Sequence, residues 1–387
     1  MVAAVRRGHS MRRVAREFHV SLLTVQRWLG RSSGKRLDRV DWIDRPSGAP
    51  RPVNRTDPET EKLVLRVRSQ LAVSDLGDIG AEAIRAALIE QRIKQVPSAR
   101  TVGRILQRRG ILDGRRRIRR PPPPLGWYLP EVASGRAELD SFDTICGLIL
   151  RGGIEIEVLN GVSLHGGLTS SWPSLSITAW SVVESLLSRW KQFGLPRYAQ
   201  FDNATIFQGP HHFPDVVGQI MRTCLQLGVT PVFAPPREPG FQNAVESLNG
   251  RWQAKVWRRF DHESLAALEL RSQRWIAAVH LRSAARIDCA PPRISFPRHF
   301  ELALQTRPAG TLIFIRRTDD RGMASVLGHS FFIAPHWTQR LVRAEVDLDH
   351  SSIRFFALRR REPLNQPLLA EHSYALPLNR SRIRIRG

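Results

Sequence analysis

Apolar positions recur at intervals of three and four through the first third of the chain, then give way to short runs with strand-like alternation. In residues 11–30, MRRVAREFHVSLLTVQRWLG, Val14, Ala15 and Phe18 form one helical stripe and Val25, Trp28 and Leu29 a second. His19-Val20-Ser21 lies between them, with Ser21 placed to cap the second helix. This predicts a helix-turn-helix over residues 1–33, with Met1 too close to leave much room for a helix before the pair. A linker follows at 34–54, rich in Ser, Gly, Pro and basic residues. A second helix-turn-helix domain is predicted over 55–113. Its first helix is capped by Asp57 before Pro58, its second covers residues 79–89, and its third starts after Pro97-Ser98.

Residues 114–130 carry an arginine run and four prolines, Pro121 to Pro124, which read as a stiff Arg/Pro-rich linker. Strand and helix patterns then alternate over 131–300. Strands are expected at 154–159 and 197–201, with residues 163–170 a candidate neighbour of the first. Helices are expected at 177–192 and 215–227, a strand at 229–233, and a helix at 243–259 whose apolar face is Val245, Leu248, Trp252 and Val256. Short strands separated by turn residues over 305–375 predict a small β-barrel, and a basic tail occupies 376–387. The fold class expected is therefore multidomain: N-terminal all-α helix-turn-helix units, a central α/β core and a C-terminal β-barrel.

Charge changes the picture. With 59 Lys and Arg against 35 Asp and Glu, the 387-residue chain carries a formal +24, a balance suited to a polyanionic partner. Most of the basic residues are Arg, whose planar fork grips phosphates and guanine edges. Thr24, Gln26 and Arg27 on the first reader helix and Thr101, Arg104 and Arg108 on the second are the candidates to reach DNA. Cys146, Cys224 and Cys289 are scattered without a CxxC pair, so neither a disulfide framework nor a zinc site is expected, and a reducing, cytoplasmic setting is. No apolar run is long enough for a membrane span.

Three acidic residues stand in distinctive settings: Asp140 in AELDSFDTI, Asp202 in YAQFDNATIF and Glu246 in FQNAVESLNGRW. Two strand carboxylates and one from a helix form the set that holds two hard divalent ions about 4 Å apart for phosphodiester chemistry. Asp143 competes with Asp140, because residues three apart on a strand face opposite ways and only one can meet Asp202.

The order Phe201-Asp202-Asn203, Phe207, Gly228-Val229, Pro235-Pro236, Pro239-Gly240, Gln242-Asn243, Val245-Glu246 and Asn249 resembles the catalytic core of the DDE integrase and insertion-sequence transposase family. The resemblance covers roughly residues 130–300, and 194–249 is its specific part. It implies an RNase H-like integrase core with Asp140, Asp202 and Glu246 as catalytic and metal-binding residues. Asp140 is favoured over Asp143 because Leu139-Asp140 before a small residue resembles the family's first motif. The spacing of 43 residues between Asp202 and Glu246 is longer than usual in the family, which places an insertion near residues 208–214. Asn243 stands where the family carries Gly, and is expected to take the left-handed turn.

The resemblance further implies a transposase that binds the ends of a mobile DNA element, cuts them with Mg²⁺ or Mn²⁺, two ions per site, and joins the 3′-OH to target DNA. Double-stranded DNA and further copies of the chain on it would be its partners, in a bacterial, nucleoid-associated setting. Lys255 and Arg258 lie on the Glu246 helix and are expected toward the substrate, with Asn203 and Asn249 as supporting contacts. Two other readings stay open: a transposase-derived regulator that only binds DNA, and an RNase H-type nuclease that cuts without joining.

Overall fold

The computed structural model describes residues 1–44, 56–112, 125–210, 213–238 and 240–377. The chain divides into two compact units, Met1–Lys62 and Leu63–Gly387. The arginine and proline runs at 114–124, the 45–54 part of the first linker, Pro239 and the tail from 378 lie outside the described residues.

The first unit contains α1 (Val2–Arg6), α2 (Met11–Glu17) and α3 (Leu22–Ser32). The expected pair is present, and the chain does fit a helix before it. Ala4, Val14 and Val25 are the buried centre where the three meet. Ser10 caps α2 by accepting from the Arg13 amide, and Ser21 caps α3 by accepting from the Thr24 amide. His19, at φ 53°, makes the tight turn between them.

In the second unit, α4 (Pro58–Val73, begun in the first unit), α5 (Ala81–Glu90) and α6 (Ala99–Arg108) pack around Val64, Val67, Ile84, Leu88, Val102 and Ile105. Ser98 caps α6 with the same S-x-x-T geometry as Ser21, accepting from the Thr101 amide. After the short α7 (Pro130–Ala133), the chain enters its sheet through β1 (Leu139–Ile149), β2 (Glu155–Ser163) and β3 (Thr169–Ser174). Then come α8 (Ala179–Phe193), β4 (Tyr198–Phe201), α9 (Thr205–Gln208), α10 (Gln219–Gln226) and β5 (Thr230–Phe233). Next are α11 (Asn243–Trp252), α12 (Leu265–Arg282) and α13 (Ala284–Asp288). The remaining strands are β6 (Thr311–Arg317), β7 (Met323–Val326), β8 (His329–Phe332), β9 (Leu341–Asp347), β10 (Ser352–Ala357) and β11 (Leu368–Ser373).

The β1–β2–β3 meander is antiparallel, and β4 and β5 run parallel to β1 on its other side, giving the order β3-β2-β1-β4-β5. This mixed α/β sheet resembles an RNase H-like core. One face carries Val182, Val183, Leu186 and Trp190 of α8 and Ile220, Met221 and Cys224 of α10. The other carries Val245, Leu248 and Trp252 of α11 and Leu268, Trp275 and Val279 of α12. Burying both faces is what allows near-continuous apolar strands such as Thr230–Phe233.

Three expectations give way. The C-terminal strands form no closed barrel among the described residues. Instead β6 pairs parallel with β5, and β9, β10 and β11 continue the same sheet, with β7–β8 a separate hairpin. Helix α10 starts at Gln219 rather than 215, because Asp215 sits at φ 63° and interrupts the helical path. The left-handed turn expected at Asn243 is made by Arg237 and Gly240, while Asn243 is already the first residue of α11.

Candidate active site

Register decides which carboxylates meet. On the adjacent parallel strands β1 and β4, Ser141 pairs with Gln200, so Asp143 and Asp202, two residues further along each strand direction, stand level. Phe142 and Phe201 stack at 5.5 Å on the α8 face, which leaves the residues after them, Asp143 and Asp202, on the α11 face. Glu246 comes to that face on the exposed first turn of α11.

Each strand carboxylate is held. Asp143 accepts from the Thr144 amide at 2.9 Å and from Asn249 Nδ2 at 2.8 Å, and Asn249 Oδ1 accepts from Asn160 Nδ2 at 2.8 Å. Asp202 accepts from the Ala204 amide at 2.9 Å. Burial, and after it the charges of Asp202 and Glu246, raise the Asp143 carboxyl to about 6 against the opposing Thr144 and Asn249 hydrogen bonds. Burial also pushes the Asp202 carboxyl up. Among the described residues none of the three is in an ion pair. Asp202 and Glu246 line an open cleft of about 540 Å³ together with Asn203, Pro236 and Gln242.

Asp140 is not brought to Asp202 and Glu246. It lies on the opposite face of β1, fully buried, where Arg189 donates to it at 2.9 and 3.1 Å, Arg293 at 2.7 and 3.0 Å, and the Trp190 indole at 3.1 Å. Burial would raise its carboxyl, but the two guanidinium groups hold it well below the usual carboxylate range. Nothing in the sequence marked Arg189 and Arg293 as its partners, because they lie 49 and 153 residues away.

Lys255 does not face the carboxylate cleft either. Where the α11 helix loosens into a π-turn at Gln253–Trp257, its ammonium donates to the Gly77 carbonyl at 2.7 Å and pairs with Asp78 at 3.5 Å. Arg282 reaches the same Asp78 at 2.9 Å, and Arg259 donates to the Ala72 and Ser74 carbonyls at 2.7 Å each. These cations grip the α4–α5 loop. Arg258 is exposed, with one contact to Gln253 at 3.1 Å. On α3 and α6, Gln26, Arg27, Arg104 and Arg108 are exposed, whereas the Thr24 and Thr101 hydroxyls hydrogen-bond to their capping serines at 2.8 and 3.0 Å.

No protein-family model and no curated protein matches the chain. Among solved structures it is similar to a chain of a simian T-cell lymphotropic virus intasome in complex with PP2A regulatory subunit B56 gamma. That match has 13% identity and a TM-score of 0.33, over 75% of this chain and 91% of that one. It is also similar to the catalytic core domain of BIV integrase, at 20% identity and a TM-score of 0.25, over 34% of this chain and 79% of that one. The HTLV-2 integrase catalytic core domain in complex with magnesium matches at 13% identity and a TM-score of 0.25, over 35% and 81%.

The donor set on the α11 face is all carboxylate, the chemistry of a hard divalent cation. Among the described residues no group of three His, Cys, Asp or Glu side chains is arranged to hold a metal ion as it stands. The fit is therefore one of donor type and charge, carried by three carboxylates without a paired cation, rather than of a preformed cage. No helix among the described residues is long and apolar enough to cross a membrane.

Proposed function

We propose that this protein is a DDE-type transposase that binds the ends of a mobile DNA element, cleaves them and joins the 3′-OH to target DNA, with Asp143, Asp202 and Glu246 as its catalytic carboxylates. Asp143 takes the place expected of Asp140. The observation that carries the reading is that Asp143 on β1 lies level with Asp202 just past the end of β4, near Glu246, with no described cation to neutralise them.

These residues would hold two Mg²⁺ or Mn²⁺ ions, which when bound activate an attacking oxygen and stabilise a leaving one. The protein's own part is orientation. Asn160 fixes Asn249, Asn249 and the Thr144 amide fix Asp143, and the Ala204 amide fixes Asp202, so two carboxylates are aimed before substrate arrives. One carboxylate set then serves two in-line displacements at phosphorus, first with water and then with a DNA 3′-OH as the nucleophile.

The formal charge of +24 supports a nucleic-acid substrate, and exposed Gln26, Arg27, Arg104, Arg108 and Arg258 are the DNA contacts in this reading. Thr24 and Thr101 set the helix starts, and Lys255 holds the α4–α5 loop instead of DNA. Several copies of the chain would assemble on paired DNA ends. The test is strand joining. Given a duplex mimicking a pre-cleaved element end, a supercoiled target and Mg²⁺, the full chain should produce covalently joined DNA. Nicks alone from an assembled complex would leave a nuclease, and DNA binding without either product a regulator.

A further inference from the structure

A second cleft, of about 480 Å³, lies beside the carboxylate cleft and shares Pro236 with it. It falls at the insertion that lengthens the stretch between Asp202 and Glu246, where residues 208–210, 213 and 216 face Arg316 and Arg317 of β6 and Ser325 of β7. Its walls are largely apolar: Pro210, Phe213, Val216, Pro236 and Leu327. Two arginines line it among the described residues, Arg316 and Arg317, and Arg317 is paired with Glu238.

The cleft is built, not incidental. Asp215, buried in the insertion, accepts from the Tyr374 hydroxyl at 2.9 Å and lies 2.7 Å from His329 Nε2, and its amide donates to the Leu327 carbonyl at 3.0 Å. These contacts clamp the insertion to the β7–β8 hairpin. Gly218 and Gly328 allow the close approach: a Cβ at Gly218 would lie 2.7 Å from the Gln208 carbonyl oxygen, and one at Gly328 would lie 2.8 Å from Pro214.

Arg316 has no carboxylate partner among the described residues. It donates to the Ser325 and Ile315 carbonyls at 3.2 and 2.8 Å and lies 5.0 Å from the Phe314 ring centre. Burial alone pushes its guanidinium down to about 10, the mark of a cation withdrawn from water without a counter-charge. Phe213, by contrast, leaves 63% of its surface exposed at the rim. An uncompensated cation inside and a bare aromatic ring outside match a phosphate and the base attached to it. The cleft's volume is that of a small-ligand pocket, too small to admit a duplex.

We infer that this cleft holds one unpaired nucleotide of the DNA strand that passes the carboxylates, its phosphate on Arg316 and its base against Phe213. The inference rests on the proposed function for the identity of the polymer, and its test does not require catalysis.

The test is fluorescence anisotropy with the full chain in EDTA, comparing a blunt DNA hairpin with the same hairpin carrying a three-nucleotide single-stranded extension at its 5′ or its 3′ end. Wild type should bind one of the extended hairpins about 5-fold or more tighter than the blunt one. Arg316→Gln and Phe213→Ala should each remove most of that preference while leaving blunt-hairpin affinity within about 2-fold, and Arg316→Lys should keep part of it. The Arg316→Gln salt slope should fall by about one charge. Phe213 is exposed, so Phe213→Ala keeps the test valid if Arg316→Gln melts early. Equal affinity of wild type for all three hairpins, or a preference retained by both variants, overturns the inference. An intact preference in a protein that never joins DNA would overturn the proposed function and leave the cleft standing.

Discussion

Asp143 on β1 stands level with Asp202, the residue after β4, on the face that receives Glu246, while Asp140 is turned away into a clasp of two arginines. The proposed chemistry rests on that relationship, because carboxylates gathered on one face without a described cation partner are the donor type a hard divalent cation takes.

Stability should report the burial of Asp143 and, after it, the neighbouring carboxylate charges. Asp143 titrates near 6 in the folded chain and lower when unfolded, so the folded state binds more protons between these values, and this group's contribution falls as pH rises through about 4 to 6. Asp143→Asn should therefore stabilise the metal-free protein at pH 7 by only roughly 1–2 kcal/mol, because solvent partly screens the carboxylate. Mg²⁺ should raise the melting temperature of wild type more at pH 8 than at pH 5, and that of the variant less. Melting curves at the two pH values, with and without Mg²⁺, check both. A variant less stable than wild type at pH 7 would contradict the assignment.

Asp140 should behave as structure. Replacing it with Asn leaves Arg189 and Arg293 buried beside a neutral amide, which should cost about 3–5 kcal/mol. Urea unfolding measures the loss. A fully stable Asp140→Asn chain would mean that the clasp contributes little.

Asn249 should matter through Asp143. Asn249→Ala frees one oxygen of the carboxylate and leaves Asn160 without its acceptor, and removal of such orienting partners typically lowers metal affinity or activity 10- to 100-fold. Higher Mg²⁺ should restore part of the rate if orientation of the metal ligand is the cause. A rate deficit unmoved by Mg²⁺ would point to a loss of folding instead.

The proposed DNA contacts can be tested apart from the proposed catalytic residues. Arg27→Ala and Arg104→Ala should each lower discrimination between element-end and random DNA by about 1–3 kcal/mol if the side chain reaches a base edge, and weaken all sequences alike if it touches phosphate. Ser21→Ala and Ser98→Ala should instead cost about 1 kcal/mol of stability through the lost cap. Binding isotherms on both DNAs, alongside melting curves, distinguish the two effects.

What could be read from the chain was what depends on neighbours in sequence. The caps at Ser21, Asp57 and Ser98, the apolar stripe of α11 and the strand before Asp202 all come from local patterns, and all are present. The choice between Asp140 and Asp143 depended on the pairing of Ser141 with Gln200, 59 residues apart, and on arginines still further away. Alternation showed that the two face opposite ways without showing which face α11 covers. The C-terminal strands failed for the same reason: their alternation is identical whether they close a barrel or extend a sheet, and only the pairing of β6 with β5 decides. Lys255 is expected toward the substrate from its helix alone, since its partner Asp78 lies 177 residues earlier.

The measurement that bears most directly on the central claim is Mg²⁺-dependent strand joining by Asp143→Asn beside wild type, with DNA affinity measured in parallel. Wild type should join a pre-cleaved end mimic to a supercoiled target, and Asp143→Asn should join it on the order of 10²–10³-fold more slowly or not at all, at unchanged DNA affinity. Joining at the wild-type rate by Asp143→Asn would contradict the account.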